Sequence, residues 1–231
     1  MKNLPKGILP EGLGDIMKKF EEDVQSLLDS TSDMAELTAS MMERAVNAFT
    51  ECDVDEVASI IADFDKVDRY DRNIEESAIR ILSLYQPTAS DMRSCATVLK
   101  SITYLERIAK YSRNIAVATE YLADKPSYPV LDCISPMGDV AVRMTRLVVK
   151  GLCNKSTEGF DKICEMDDYL DKGLRSGLKE IIDFITANPK SADVCTYYIS
   201  VLKYIERVGD HACKIAEKVT YMVTGKHTVI E

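Results

Sequence analysis

The sequence predicts an all-α protein made of two tandem three-helix bundles related by an internal repeat. Three observations predict it. Apolar residues recur at spacings of three and four along most of the 231 residues, the signature of amphipathic helices. Two helix-stopping pairs, Gln86-Pro87 and Asn188-Pro189, fall at corresponding places. The segment YLERIAKYSRNIA (104–116) aligns without gaps on YIERVGDHACKIA (204–216), sharing Tyr, Glu, Arg, an Ile and the final Ala. With Val67-Asp68 falling on Leu170-Asp171, the repeat period is about 100 residues.

Each element can be justified in turn. After a tail over residues 1–14, the first helix runs from Ile16 to Phe49, where Met17, Phe20, Val24, Leu27, Leu28, Met34, Leu37 and Met41 keep helical spacing. The second runs from about Val54 to Tyr85, because a residue before proline avoids the α region. Ser90 and Asp91 are candidate caps for a third helix reaching about Leu122. This first bundle spans 15–123. The double-proline stretch ADKPSYPV (123–130) should break any helix; it is the expected linker, covering 124–130, and the internal segment most open to proteases. The second bundle spans 131–226, with helices from about Cys133 to Leu152, Phe160 to Ile185 and Ala192 to Val223, then a tail over 227–231. Connections this short force neighbouring helices to pack antiparallel.

Composition excludes several functions. The net charge is −9 and Lys and Arg form no cluster, which argues against a nucleic-acid surface. No apolar run approaches the roughly 18 residues of a membrane span, and the start has no signal-peptide pattern. Seven cysteines without a C-x-x-C read as reduced, mostly buried thiols in a cytoplasm. No Ser/His/Asp, Cys/His or glycine-rich phosphate loop stands out.

The distinctive pattern is acidic. Asp167 and Asp171 lie one turn apart on the fifth helix, as do Glu206 and Asp210 on the sixth. Like charges at i,i+4 repel. Either they form a solvated helix face interrupted by Arg207 and Lys172, or facing helices bring four carboxylates together around a divalent cation. Gly209 leaves room there for a metal or a close helix approach. His211 reads as a surface or capping histidine, and Cys164 and Cys213 as core thiols. Asp71 and Glu75 form another acid pair, read as a solvated face because Arg69 and Arg72 are near.

The duplicated three-helix plan, ERVGDHACKIA and the closing VTYMVTGK (219–226) resemble the PhoU family of phosphate-uptake regulators over residues 15 to 226. The family motif is an E/D-x-x-x-D pair on the second and third helix of each bundle, and the resemblance implies metal there. The second half matches through Asp167, Asp171, Glu206 and Asp210. The first half departs twice, with Phe64 opposite Asp167 and Lys110 opposite Asp210, leaving Asp68 and Glu106 single. Lys110 is expected to reach one of those acids, so that metal (Fe, Zn, Ni, Mn or Mg) binds in the C-terminal bundle only.

The resemblance further implies a cytoplasmic regulator that is not an enzyme. It restrains phosphate uptake and starvation signalling by binding the ATPase of a phosphate ABC transporter and a two-component sensor kinase. It is expected to be a homodimer, to bind no nucleic acid and to reach the membrane through partners only. Two alternatives stay open. One is a metal-dependent hydrolase or metal-handling protein, although such sites usually recruit histidine and only His211 and His227 are present. The other is an accessory subunit of a sodium–phosphate cotransporter or ion channel.

Overall fold

The computed structural model describes residues 13–125 and 131–230. Within them the chain forms α1 (Leu13–Glu51), α2 (Asp55–Tyr85), α3 (Ala89–Leu122), α4 (Ile134–Asn154), α5 (Ile163–Ala187) and α6 (Ala192–Thr224). Short 3₁₀ turns, Phe160–Lys162 and Pro189–Ser191, precede α5 and α6. There is no strand among the described residues. Most of the linker expected at 124–130, and the proteolysis expected there, lie outside those residues.

The stops behave as the prolines dictate. Gln86, before Pro87, leaves α2 in the left-handed region at φ 43°, and Asn188, before Pro189, leaves α5 at φ −133°. α6 ends on Gly225 at φ +70°, whose N–H reaches the Tyr221 carbonyl at 2.8 Å. A Cβ would be strained there, so glycine is the natural stop. The third helix starts one residue before the expected caps. Thr88 holds the cap position and its hydroxyl donates to Asp91 at 2.9 Å, so Ser90 and Asp91 are helical residues.

α1, α2 and α3 pack on one another, as do α4, α5 and α6. The two sets also pack together through α1 on α4 and α3 on α6, while α2 and α5 flank the outside. The α3–α6 contact is antiparallel. The Thr97 hydroxyl donates to the Lys218 carbonyl at 3.3 Å, Tyr104 lies over His211, and Tyr111 stacks on Tyr204. Adding the repeat offset of 100 turns the Tyr104–His211 pair into Tyr204–Tyr111. A pseudo-twofold axis therefore passes through this crossing.

The core is continuous across both halves. Met41, Met42, Leu105, Ile108, Ile134, Met137, Ile205 and Val208 are among its fully buried members. Each such side chain contributes roughly 1.5–3 kcal/mol of apolar burial. Two carboxylates penetrate this packing: Glu217, 9% exposed, is held by Lys214 at 2.9 Å, and Asp63, 7% exposed, is held by Arg44 of α1 and by Lys66 at 2.7 Å. Burial alone would raise its carboxyl, but the hydrogen bonds from Lys66 and Arg44 outweigh burial and hold it below the usual value.

Candidate functional site: facing acids on two helix pairs

α5 and α6 run antiparallel, which sets Asp167 beside Cys213 and Leu170 beside Gly209. A Cβ added to Gly209 would stand 2.5 Å from Leu170 Cδ1 and 3.2 Å from Asp167 Oδ1. Gly209 thus serves the close helix approach, with buried Leu170 filling the notch and Asp167 at its rim. Gly209→Ala should destabilise the fold by about 1–2 kcal/mol. Overpacking costs roughly 1–3 kcal/mol and the helix-propensity gain returns at most about 1. Denaturant unfolding checks this; a variant more stable than the parent would show that the notch is loose.

The approach brings the four predicted acids within electrostatic reach. Burial raises the Asp167 carboxyl, and Asp210, Asp171 and Asp168 add to it, against a hydrogen bond from Cys213. Burial raises Glu206 as well, reinforced by Asp210, Asp171 and Asp167 and opposed by Arg207. Asp210 is raised by burial and Asp171, against Arg207 and Lys214. Each of the three is disfavoured as an anion by the other acids, so the site gains from an added cation.

The arginines supply part of that charge. Asp171 pairs with Arg175 at 2.7 Å, and Arg207 reaches Asp210 at 3.3 Å and Glu206 at 3.7 Å. Among the described residues no three of His, Cys, Asp and Glu form a group that could hold a metal as they stand. The donor set nonetheless suits a hard or borderline divalent ion, since it is carboxylate throughout and Lys214, the lysine that acts on Asp210, makes its ion pair with Glu217. The arginine pairs are substantially exposed and weakly stabilising, so a divalent ion has little to displace.

The first half differs from expectation at the equivalent place. Lys110 makes no ion pair within 4 Å among the described residues; Asp68 instead pairs with Arg72 at 2.8 Å. Arg72 sits one turn along on the same helix, and among the described residues no basic residue of α3 pairs with Asp68 within 4 Å. Phe64 lies under the Arg113 guanidinium at 5.4 Å, where the second half has Asp167 beside Cys213. Asp71 is not simply solvated: burial raises its carboxyl, with Glu75, Glu106 and Asp68 adding to the effect. Only a helix-packing register could have shown that Asp71 faces Glu106.

Two further sequence expectations are corrected. His211 is neither surface nor cap. It is 9% exposed, stacked on Tyr111 with ring centroids 5.6 Å apart, and its Nε2 lies 3.4 Å from the Tyr111 hydroxyl. Burial, with Arg107 and Arg207 adding, lowers its pKa to about 4, so the ring is neutral at physiological pH. Cys164 is exposed rather than a core thiol, as is Cys52, whereas Cys213 is buried. Both misread residues adjoin the α5–α6 and α3–α6 contacts, which helical periodicity alone does not locate.

A duplicated all-helical fold, with acids brought together across the α5–α6 contact, defines a class of tandem three-helix-bundle proteins. The PhoU domain model matches twice, over residues 31–119 and 134–219, and the chain belongs to the PhoU family. It is 29% identical over 215 residues to the phosphate-specific transport system accessory protein PhoU homolog of Rhizobium meliloti (strain 1021), covering 91% of this chain and 89% of the relative. The homologous protein of Pseudomonas aeruginosa is 27% identical over 218 residues, covering 91% and 87%. The fold is similar to the crystal structure of PhoU from Pseudomonas aeruginosa, with a TM-score of 0.84, 26% identity and coverage of 90% of this chain and 100% of that one. PhoU of Streptococcus pneumoniae superposes with a TM-score of 0.83. No helix among the described residues is long and apolar enough to cross a membrane.

Proposed function

We propose that the protein is a cytoplasmic regulator of phosphate transport that acts by protein contact rather than by catalysis. The observation that supports this most is the match of both halves to the PhoU domain, alongside relatives named as accessory proteins of a phosphate-specific transport system. The partners proposed are the transporter's ATPase subunit and, where a two-component system is present, its sensor kinase, with the regulator acting as a homodimer. Deleting the gene should raise phosphate uptake or starvation-gene expression in phosphate-replete cells. Unchanged uptake and unchanged expression would overturn the reading.

Asp167, Asp171, Glu206 and Asp210 are the residues proposed to hold a divalent metal. A bound ion supplies positive charge and oxygen-coordinating capacity to this face. The chain's own residues do the rest: Gly209 sets the α5–α6 spacing, and Arg175 and Arg207 hold the acids when no ion is bound. This face then alternates between an arginine-paired and a metal-held arrangement, which is a natural way for metal to alter a docking surface. The first half lacks the i,i+4 acid pair on α3 because Lys110 stands in it, and metal is proposed for the second half only.

A further inference from the structure

We infer that the first half carries an anion site at the position where the second half carries its acids, and that its ligand is hydrogen phosphate. The site is a recess of about 320 Å³ lined by Glu106, Arg107, Lys110 and Tyr111. Their repeat equivalents are Glu206, Arg207, Asp210 and His211, so the two places differ in charge at one position, Lys110 against Asp210.

The charges lining the recess indicate the ligand class. Arg107 and Lys110 make no ion pair within 4 Å among the described residues, whereas Arg207 is engaged by Glu206 and Asp210. Two cations without carboxylate partners therefore line one recess of a chain whose net charge is −9. A guanidinium and an ammonium lining one recess match a tetrahedral oxyanion. The Tyr111 hydroxyl lies 3.4 Å from His211 Nε2, which fixes that wall of the recess.

Glu106 sharpens the assignment. A carboxylate repels a fully deprotonated oxyanion but accepts a hydrogen bond from one that keeps a proton. Hydrogen phosphate keeps an O–H throughout the physiological range. Sulfate has none, and a phosphomonoester loses its last proton with a pKa of about 6. Arg107 and Lys110 thus supply attraction, and Glu106 selects inorganic phosphate over both sulfate and monoesters. The inference goes beyond the regulatory role, since it rests on the recess and would stand with any partner.

Calorimetric titration of the full chain at about pH 8 and fixed ionic strength tests it, because there a monoester has lost its proton. The probes are inorganic phosphate, sulfate and O-phosphoserine. Inorganic phosphate is expected to bind, with sulfate and phosphoserine weaker by roughly tenfold or more. Arg107→Ala and Lys110→Ala should each weaken phosphate by a similar factor, with unchanged helical circular dichroism. Glu106→Gln should bring sulfate level with phosphate. Failure of phosphate to bind overturns the site, as does equal phosphate binding by Lys110→Ala. Equal binding of sulfate or phosphoserine by the parent overturns the role given to Glu106.

Discussion

Replacing Asp63 with alanine is expected to destabilise the protein by about 3 kcal/mol, the low end for breaking a buried ion pair. The substitution takes from Arg44, whose side chain is only 26% exposed, its buried carboxylate partner, leaving it Glu56 at 3.6 Å and the Ser59 hydroxyl at 3.0 Å, and it frees Lys66. For a chain of this size each kcal/mol shifts Tm by about 2–4 °C, so the loss should be near 10 °C. The effect is tied to pH. The Asp63 carboxyl is held below its ordinary 3.8, so its stabilisation is present above that value and fades as pH falls through the lowered one. The parent should lose this contribution below about pH 4, and Asp63→Ala should show a shallower acid slope. Equal acid slopes in the two proteins would show that the Arg44–Asp63–Lys66 group carries little stability.

Divalent metal is expected to stabilise the protein by about 2.7 kcal/mol at a concentration one hundred times Kd, a rise of several degrees in Tm. The sign follows from the acids. Asp167, Glu206 and Asp210 are raised above their ordinary values. Their favourable contribution is therefore present at low pH and lost as pH rises through the raised values, leaving mutual repulsion at neutral pH. Two charges about 6 Å apart at an effective dielectric of about 20 repel by nearly 3 kcal/mol, and exposure reduces that to about 1. Asp210→Asn should therefore be slightly more stable than the parent in chelator and should lose the metal-induced rise. Differential scanning calorimetry with and without Mn²⁺ reads both effects. A variant that is less stable in chelator and still responds to metal would show that Arg207, not repulsion, governs Asp210.

The fold was legible because its determinants are local. Helix periodicity, the Gln86-Pro87 and Asn188-Pro189 stops and the 104–116/204–216 repeat all act within a few residues of themselves, and the helices end within a few residues of where these signals place them. The second-half acids were legible for the same reason, since i,i+4 spacing and repeat alignment are both readable along the chain. What escaped depends on rotation and register between helices. Asp71 meets Glu106 only because α2 and α3 pack in one particular register. His211 is covered by Tyr104 and Tyr111 from a helix about a hundred residues away. The repeat alignment sets Lys110 against Asp68 and Glu106, whereas Asp68 finds Arg72 on its own helix. The pseudo-twofold axis, which joins the halves into one core, can be inferred from the repeat but not positioned by it.

The two equivalent places are proposed to have opposite charge logic, acids for a divalent ion in the second half and cations in the first. Equilibrium dialysis against Mn²⁺, with elemental analysis of the retained metal, tests it directly in the parent, Glu206→Ala, Asp210→Ala and Glu106→Ala. Metal retained by the parent and by Glu106→Ala, and lost from Glu206→Ala and Asp210→Ala, is the predicted result. Metal lost from Glu106→Ala but kept by the other two would contradict the account and place the ion with Asp71 and Glu106 in the first half.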